Sequence, residues 1–167
     1  MKANTAGEIL IAVLVLTCGT AAAASPSDSY ATDLGRVYGG YQRILALKDA
    51  CDAAVPAARG VHDKAFAAWE ARHRALIQDL QRRVTEMIRR ASTSQDDYVR
   101  NLGKYEGAIL QEREGYRETL LALGAEELRA QCKGLPEALT GAGTDLATIY
   151  AAELETIRKR KVSSGGK

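Results

Sequence analysis

Apolar residues return every three or four positions through most of the chain, and no alternating run is long enough to propose a strand. The firmest pattern is Phe66, Trp69, His73, Leu76, Leu80, Val84 and Met87, which predicts one long amphipathic helix. Upstream, a polar lead-in over residues 25–29 gives way to Leu34, Val37, Tyr38, Tyr41, Ile44, Leu45 and Leu47, a first helix that Pro56 ends. Paired glycines at 39 and 40 mark a bend in it or the close approach of another backbone. Downstream, Ser92 to Asp97 reads as a turn and N-cap with acidic residues in the first turn. A third helix follows along Tyr98, Leu102, Tyr105, Ile109, Glu112, Tyr116, Leu120 and Leu123, with Gly124 as its stop. Ala125 to Lys133 predicts a short fourth helix, broken at Gly134-Leu135-Pro136. A final helix then runs along Leu139, Leu146, Ile149, Tyr150, Leu154 and Ile157, its start blurred by Gly141 and Gly143.

Short connections between amphipathic helices give antiparallel neighbours, so the expected fold is all-α: an up-and-down bundle of three long helices plus an N-terminal helix and a short one. The hairpin of the second and third helices is its expected spine. Charge supports that pairing, with eight basic and four acidic residues from Arg59 to Arg90 against four basic and six acidic from Ser94 to Leu123.

The N-terminus breaks the helical pattern. Lys2 precedes an uninterrupted apolar run, Ile9 to Leu16, which has the length of a signal-peptide core and not of a bilayer span. Ala22-Ala23-Ala24 before Ser25-Pro26 supplies the small side chains that a signal peptidase accepts, so residues 1–24 read as a leader cut between Ala24 and Ser25. Lipid attachment at Cys18 is the lesser alternative, because Thr17 stands where lipoprotein signals carry Gly, Ala or Ser. The domain then spans residues 25–161, with 162–167 as a disordered tail, and the expected location is the periplasm or the exterior of a Gram-negative-type bacterium.

Removing the leader from 167 residues leaves about 143, one domain with a core of its own. Its 22 basic and 20 acidic residues set up no field that would draw nucleic acid. Two cysteines, Cys51 and Cys132, enter an oxidising compartment with no third mature cysteine to compete, which predicts a disulfide between the helix ends that precede Pro56 and Pro136. With no Cys-x-x-Cys present, thioredoxin-like chemistry and covalent haem attachment are excluded.

Glu70-Ala71-Arg72-His73 is a single Glu-x-x-His, and a di-iron bundle needs two. The other histidine, His62, lies eleven residues away, roughly 16 Å along a helix, too far to share a metal. No metal and no cofactor are expected. A helical hairpin turning near Thr93 would bring Trp69, Arg72 and His73 level with Glu112 and Tyr116, forming a polar cluster expected to be a structural network first and a ligand site second. No Ser or Cys nucleophile pairs with it, so the chain reads as no enzyme. The basic clusters, Arg82-Arg83, Arg89-Arg90 and Arg158 to Lys161, sit toward helix C-termini, where the helix dipole favours them. Contact of the last cluster with anionic lipid is a lesser expectation.

Cys51-x4-Pro56, then Ala65-x3-Trp69-x2-Arg72 on an Ala- and Arg-rich helix, then a second Cys near Leu135-Pro136, resembles a group of small exported helical proteins of proteobacteria. The likeness covers about two thirds of the chain. It implies export and a helical fold and brings no activity with it; His73 departs from the Asn that follows the Arg in that group. The function expected from all of this is that of an interaction or binding protein, of inhibitor, immunity or adaptor type, whose partner is another envelope protein. The alternative is a small-molecule or metal-responsive bundle built on Trp69, His73, Glu112 and Tyr116.

Overall fold

The computed structural model describes residues 26–160, with side-chain environments from Ser29 onward. The assigned leader, Cys18, the Ala24 to Ser25 junction and the tail at 162–167 lie outside the described residues. Within them the chain is helical without a strand: α1 (Pro26–Ala54), a 3-10 turn (Pro56–Ala58), α2 (Arg59–Arg90), α3 (Gln95–Leu121), α4 (Ala125–Lys133), α5 (Leu135–Ala138), a second 3-10 turn (Ala142–Thr144), α6 (Leu146–Ile149) and α7 (Ala151–Lys159). No helix among the described residues is long and apolar enough to cross a membrane.

The spine is α1, not the expected hairpin of α2 and α3. Helix α1 packs against α2, α3, α4, α6 and α7, whereas α2 and α3 touch each other far less. Its sequence carries the reason. Leu34, Val37 and Tyr41 are buried along one side, and Gly39, Ala46 and Ala50 are buried roughly opposite, so the helix has no single apolar face and is covered from several directions. The small residues let α3 come close: a Cβ placed on Gly39 would meet Glu112 of α3 at 3.4 Å. The charge difference between α2 and α3 is spent accordingly, since the ion pairs that reach α3 from another helix come from α1, Arg113 with Asp49 and Arg43 with Glu112.

The core has two lobes. One gathers Tyr41, Phe66, Trp69, Ile77, Leu135, Leu139 and Leu146 around the disulfide, and the other gathers Tyr30, Leu34, Val37, Leu80, Val84, Ile88, Leu154 and Ile157. Tyr38, Leu76 and Tyr150 pack against both. The close approach predicted at the paired glycines comes from a side chain: a Cβ on Gly40 would lie 2.4 Å from the Tyr150 ring. The Cys51 to Cys132 disulfide is formed, with Cα atoms 5.2 Å apart across a separation of 81 residues, and both cysteines are fully buried. It ties the last turn of α1 to α4.

Three boundaries depart from expectation. Helix α1 begins at Pro26, a residue suited to a first helical turn, so the polar lead-in is already helical. Helix α3 begins at the expected cap, where the Ser94 side chain accepts from the Asp97 amide, but it ends at Leu121, and Gly124 stands instead before α4 as its N-cap. The expected long final helix is divided into α5, a 3-10 turn, α6 and α7, because Gly141, Gly143 and the capping carboxylate of Asp145, which accepts from the Thr148 amide, restart the chain. Residues 139–145 thus form an irregular strap over α2.

Candidate binding groove

The polar cluster expected from the sequence is divided. Trp69, Arg72 and His73 do come together, but they face the strap. The Trp69 indole Nε1 donates to the Thr144 carbonyl at 2.9 Å, and an Arg72 Nη donates to the Leu139 carbonyl. His73 Nδ1 lies 2.8 Å from the Trp69 carbonyl, which can only accept, so that nitrogen carries the hydrogen, and Nε2 looks toward Asp145 at 3.9 Å. The Thr148 amide, against the opposing effect of burial, holds the Asp145 carboxyl below its usual range. These side chains satisfy backbone carbonyls that the irregular strap leaves without helical partners. Glu112 and Tyr116 are elsewhere. Glu112 pairs with Arg43 at 3.5 Å, and Tyr116 is exposed. Helix α1 separates the two groups: Tyr41 stacks on Trp69 at 6.3 Å, whereas Glu112 lies against Gly39 and Arg43 on roughly the opposite side of the helix. Glu70, the other half of the Glu-x-x-His, accepts from the Tyr41 hydroxyl at 3.3 Å. No group of three or more potential metal ligands gathers among the described residues.

The sequence reading missed the surroundings of His62. The short link at Pro56 folds α2 back along α1, so residues 52 and 62, equally far from position 57, come opposite each other. His62 Nδ1 lies 3.1 Å from Asp52 with both side chains buried, and Lys48 bridges Asp52 and Asp63 at 2.7 and 2.6 Å. Burial disfavours the Lys48 ammonium, but the two carboxylates outweigh it and raise its pKa, while that of Asp63 is lowered by Lys48. These charges close the end of the fold beside the disulfide.

A groove follows the side of α3 that α2 leaves open, floored by α1. Its upper hollow, about 370 Å³, is lined among others by Tyr38, Tyr41, Gln42, Thr85, Tyr105 and Glu106. Leu110 and Arg113 belong both to this hollow and to the next, which carries Asp49, Arg59 and Arg117. Ala53 joins the second to a third, lined by Ala54, Leu121 and Leu128. The upper lining is rich in uncommitted polar groups. Gln42, whose amide reaches solvent, makes no hydrogen bond among the described residues, and the more exposed Gln81, Thr85 and Glu106 are likewise unpaired there. The Tyr105 hydroxyl is fully buried without a partner, and burial, helped by Tyr38 and Glu112, pushes its pKa up to about 12. A buried hydroxyl left unpaired costs about 1–3 kcal/mol. Compared with known protein families, curated proteins and solved structures, the chain finds no match in any of the three.

Proposed function

We propose that the protein is an exported, non-enzymatic helical interaction protein of the bacterial envelope, and that the groove between α2 and α3 is its docking face for a protein segment. The observation that carries this reading is the upper hollow, where Tyr105 hides an unpaired hydroxyl beside the free amide of Gln42. Among the described residues the other buried side-chain polar atoms are paired, so an occupant that hydrogen-bonds to the Tyr105 hydroxyl would relieve a cost that the chain alone carries. The disulfide, together with the leader pattern, supports an oxidising destination. Both histidines are already engaged, His62 with Asp52 and His73 with the Trp69 carbonyl. The alternative of a small-molecule or metal-responsive cluster loses its support, because Glu112 and Tyr116 do not join Trp69 and His73. A docking face of this kind suits an inhibitor, immunity or adaptor role.

The test is a photo-crosslinking residue at Gln81, on the rim of the groove, in cells that export the full chain, with Glu155 on α7 as the control position. A discrete adduct with an envelope protein from position 81 and none from 155 is expected. Equal or absent crosslinking from the two positions would remove the groove as a docking face.

A further inference from the structure

Helix α3 carries an unusual exposed pattern. Val99, Leu110 and Leu121 are 58%, 60% and 38% exposed. They stand eleven residues apart on each side of Leu110, and eleven residues complete about three turns plus 20°, so all three lie on one stripe spanning roughly 33 Å. This stripe borders the groove, since Leu110 lines its upper two hollows and Leu121 its third.

We infer that the docking face pairs with a second copy of this chain, α3 against α3 in antiparallel fashion about a two-fold axis at Leu110. The inference rests on the reading of this side of the molecule as a docking face and names its occupant. The apolar positions are their own complement: a two-fold at Leu110 sets Leu110 on the partner's Leu110 and Val99 on the partner's Leu121. The charges are complementary as well. Glu106 and Arg113 fall on the same flank of the stripe, four residues before and three after the axis, so Arg113 comes within about 1.5 Å of the level of the partner's Glu106 at the usual helical rise. Glu106 has no ion pair within its own chain among the described residues, whereas Arg113 holds only Asp49. On the other flank Glu114 comes level with the partner's Gly107. A Cβ added at Gly103 or Gly107 would meet nothing within 4 Å, which leaves room for the second helix. An isologous contact of this kind closes on itself as a dimer.

Sedimentation and light scattering on the exported, disulfide-bonded chain are expected to give a dimer that dissociates on dilution. Leu110→Lys is expected to weaken it by about tenfold or more, since each copy loses a buried leucine. Its melting as a monomer should not change, because Leu110 is exposed in the single chain. Orientation is read with a bis-maleimide spanning about 8–10 Å, the usual separation of packed helix axes. Leu110→Cys should crosslink to itself, and Val99→Cys should crosslink to Leu121→Cys in a mixture but not to itself. A monomer at every concentration, or Val99→Cys crosslinking to itself, would overturn the pairing. A monomer whose groove still yields an adduct with a different protein from position 81 would remove only the self-pairing, whereas failure of both measurements would remove the docking face too.

Discussion

Two glycines on α1, five residues apart, should respond to alanine with opposite signs. Glycine in a helix interior costs roughly 0.5–1 kcal/mol relative to alanine, so wherever there is room the substitution stabilises. At Gly35 an added Cβ meets nothing within 4 Å, and Gly35→Ala is expected to stabilise by about 0.5–1 kcal/mol. At Gly40 the same Cβ would sit 2.4, 2.6 and 2.7 Å from Cε2, the hydroxyl and Cζ of Tyr150, distances no carbon tolerates. The Tyr150 ring must then leave a place where it packs against both lobes of the core, which costs about 1–3 kcal/mol and exceeds the gain in helix propensity. Gly40→Ala is therefore expected to destabilise by about 1 kcal/mol or more, and to differ from Gly35→Ala by about 2. Urea denaturation followed by far-ultraviolet circular dichroism, with an unchanged slope, measures both. A double-mutant cycle isolates the cause: in a Tyr150→Ala background, Gly40→Ala should become neutral or stabilising. If Gly40→Ala stabilised the parent chain as much as Gly35→Ala, Tyr150 would not be seated between the lobes as described.

Replacing both Cys51 and Cys132 with Ala should cost up to about 4.5 kcal/mol on the chain-entropy account of an 81-residue separation, and the loss should match that produced by reductant in denaturant titrations of the parent. Trp69→Phe removes the donor to Thr144 and should lower stability by about 1–3 kcal/mol, with faster amide exchange confined first to residues 139–146. Asp79 is partly buried, which opposes its charge, but Arg83 and Arg82 outweigh this and lower its pKa, while Arg83 also donates to the carbonyls of Ile157 and Arg160. With the folded pKa below the unfolded one, this contribution is fully present above the unfolded value of about 3.9 and is lost as pH falls through the folded value. Asp79→Asn should flatten the acid limb of stability below about pH 4, and an unaltered limb would deny the pair that role.

Helix content and the disulfide were legible because they depend on local signals: the stripe of α2, the Ser94 cap, and two cysteines before two prolines. The choice of spine was not. The stripe of α2 is conspicuous because it is one-sided, and α1 looked weaker for the very reason that it is central, with buried residues on opposite sides. The strap failed for a similar reason, since Leu139 and Leu146 are buried as the apolar pattern required, yet Gly141, Gly143 and Asp145 break the backbone between them. Placing His73 opposite Glu112 assumed that α2 and α3 were direct neighbours at that level, and with α1 between them the cluster could not form. His62 met Asp52 through a turn whose geometry a pattern of apolar positions does not encode. The groove escaped notice altogether, because its signature is a set of polar groups without partners.

The central place of α1 also sets the order in which the chain can fold. The first helix to emerge finds its covering among the last residues, Leu154 and Ile157 packing with Tyr30, Leu34 and Val37 over more than a hundred intervening positions. Such contacts raise the contact order of a fold whose other contacts are mostly local, and loop closure must be met before they form. A growing chain that ends with α3 lacks Cys132, Leu135, Leu139 and Leu146 of one lobe and Leu154 and Ile157 of the other, so both lobes stay open and Cys51 is without its partner. The consequence is a fold that closes late: the lobe around Leu34 and Val37 stays uncovered until the C-terminal helix is present.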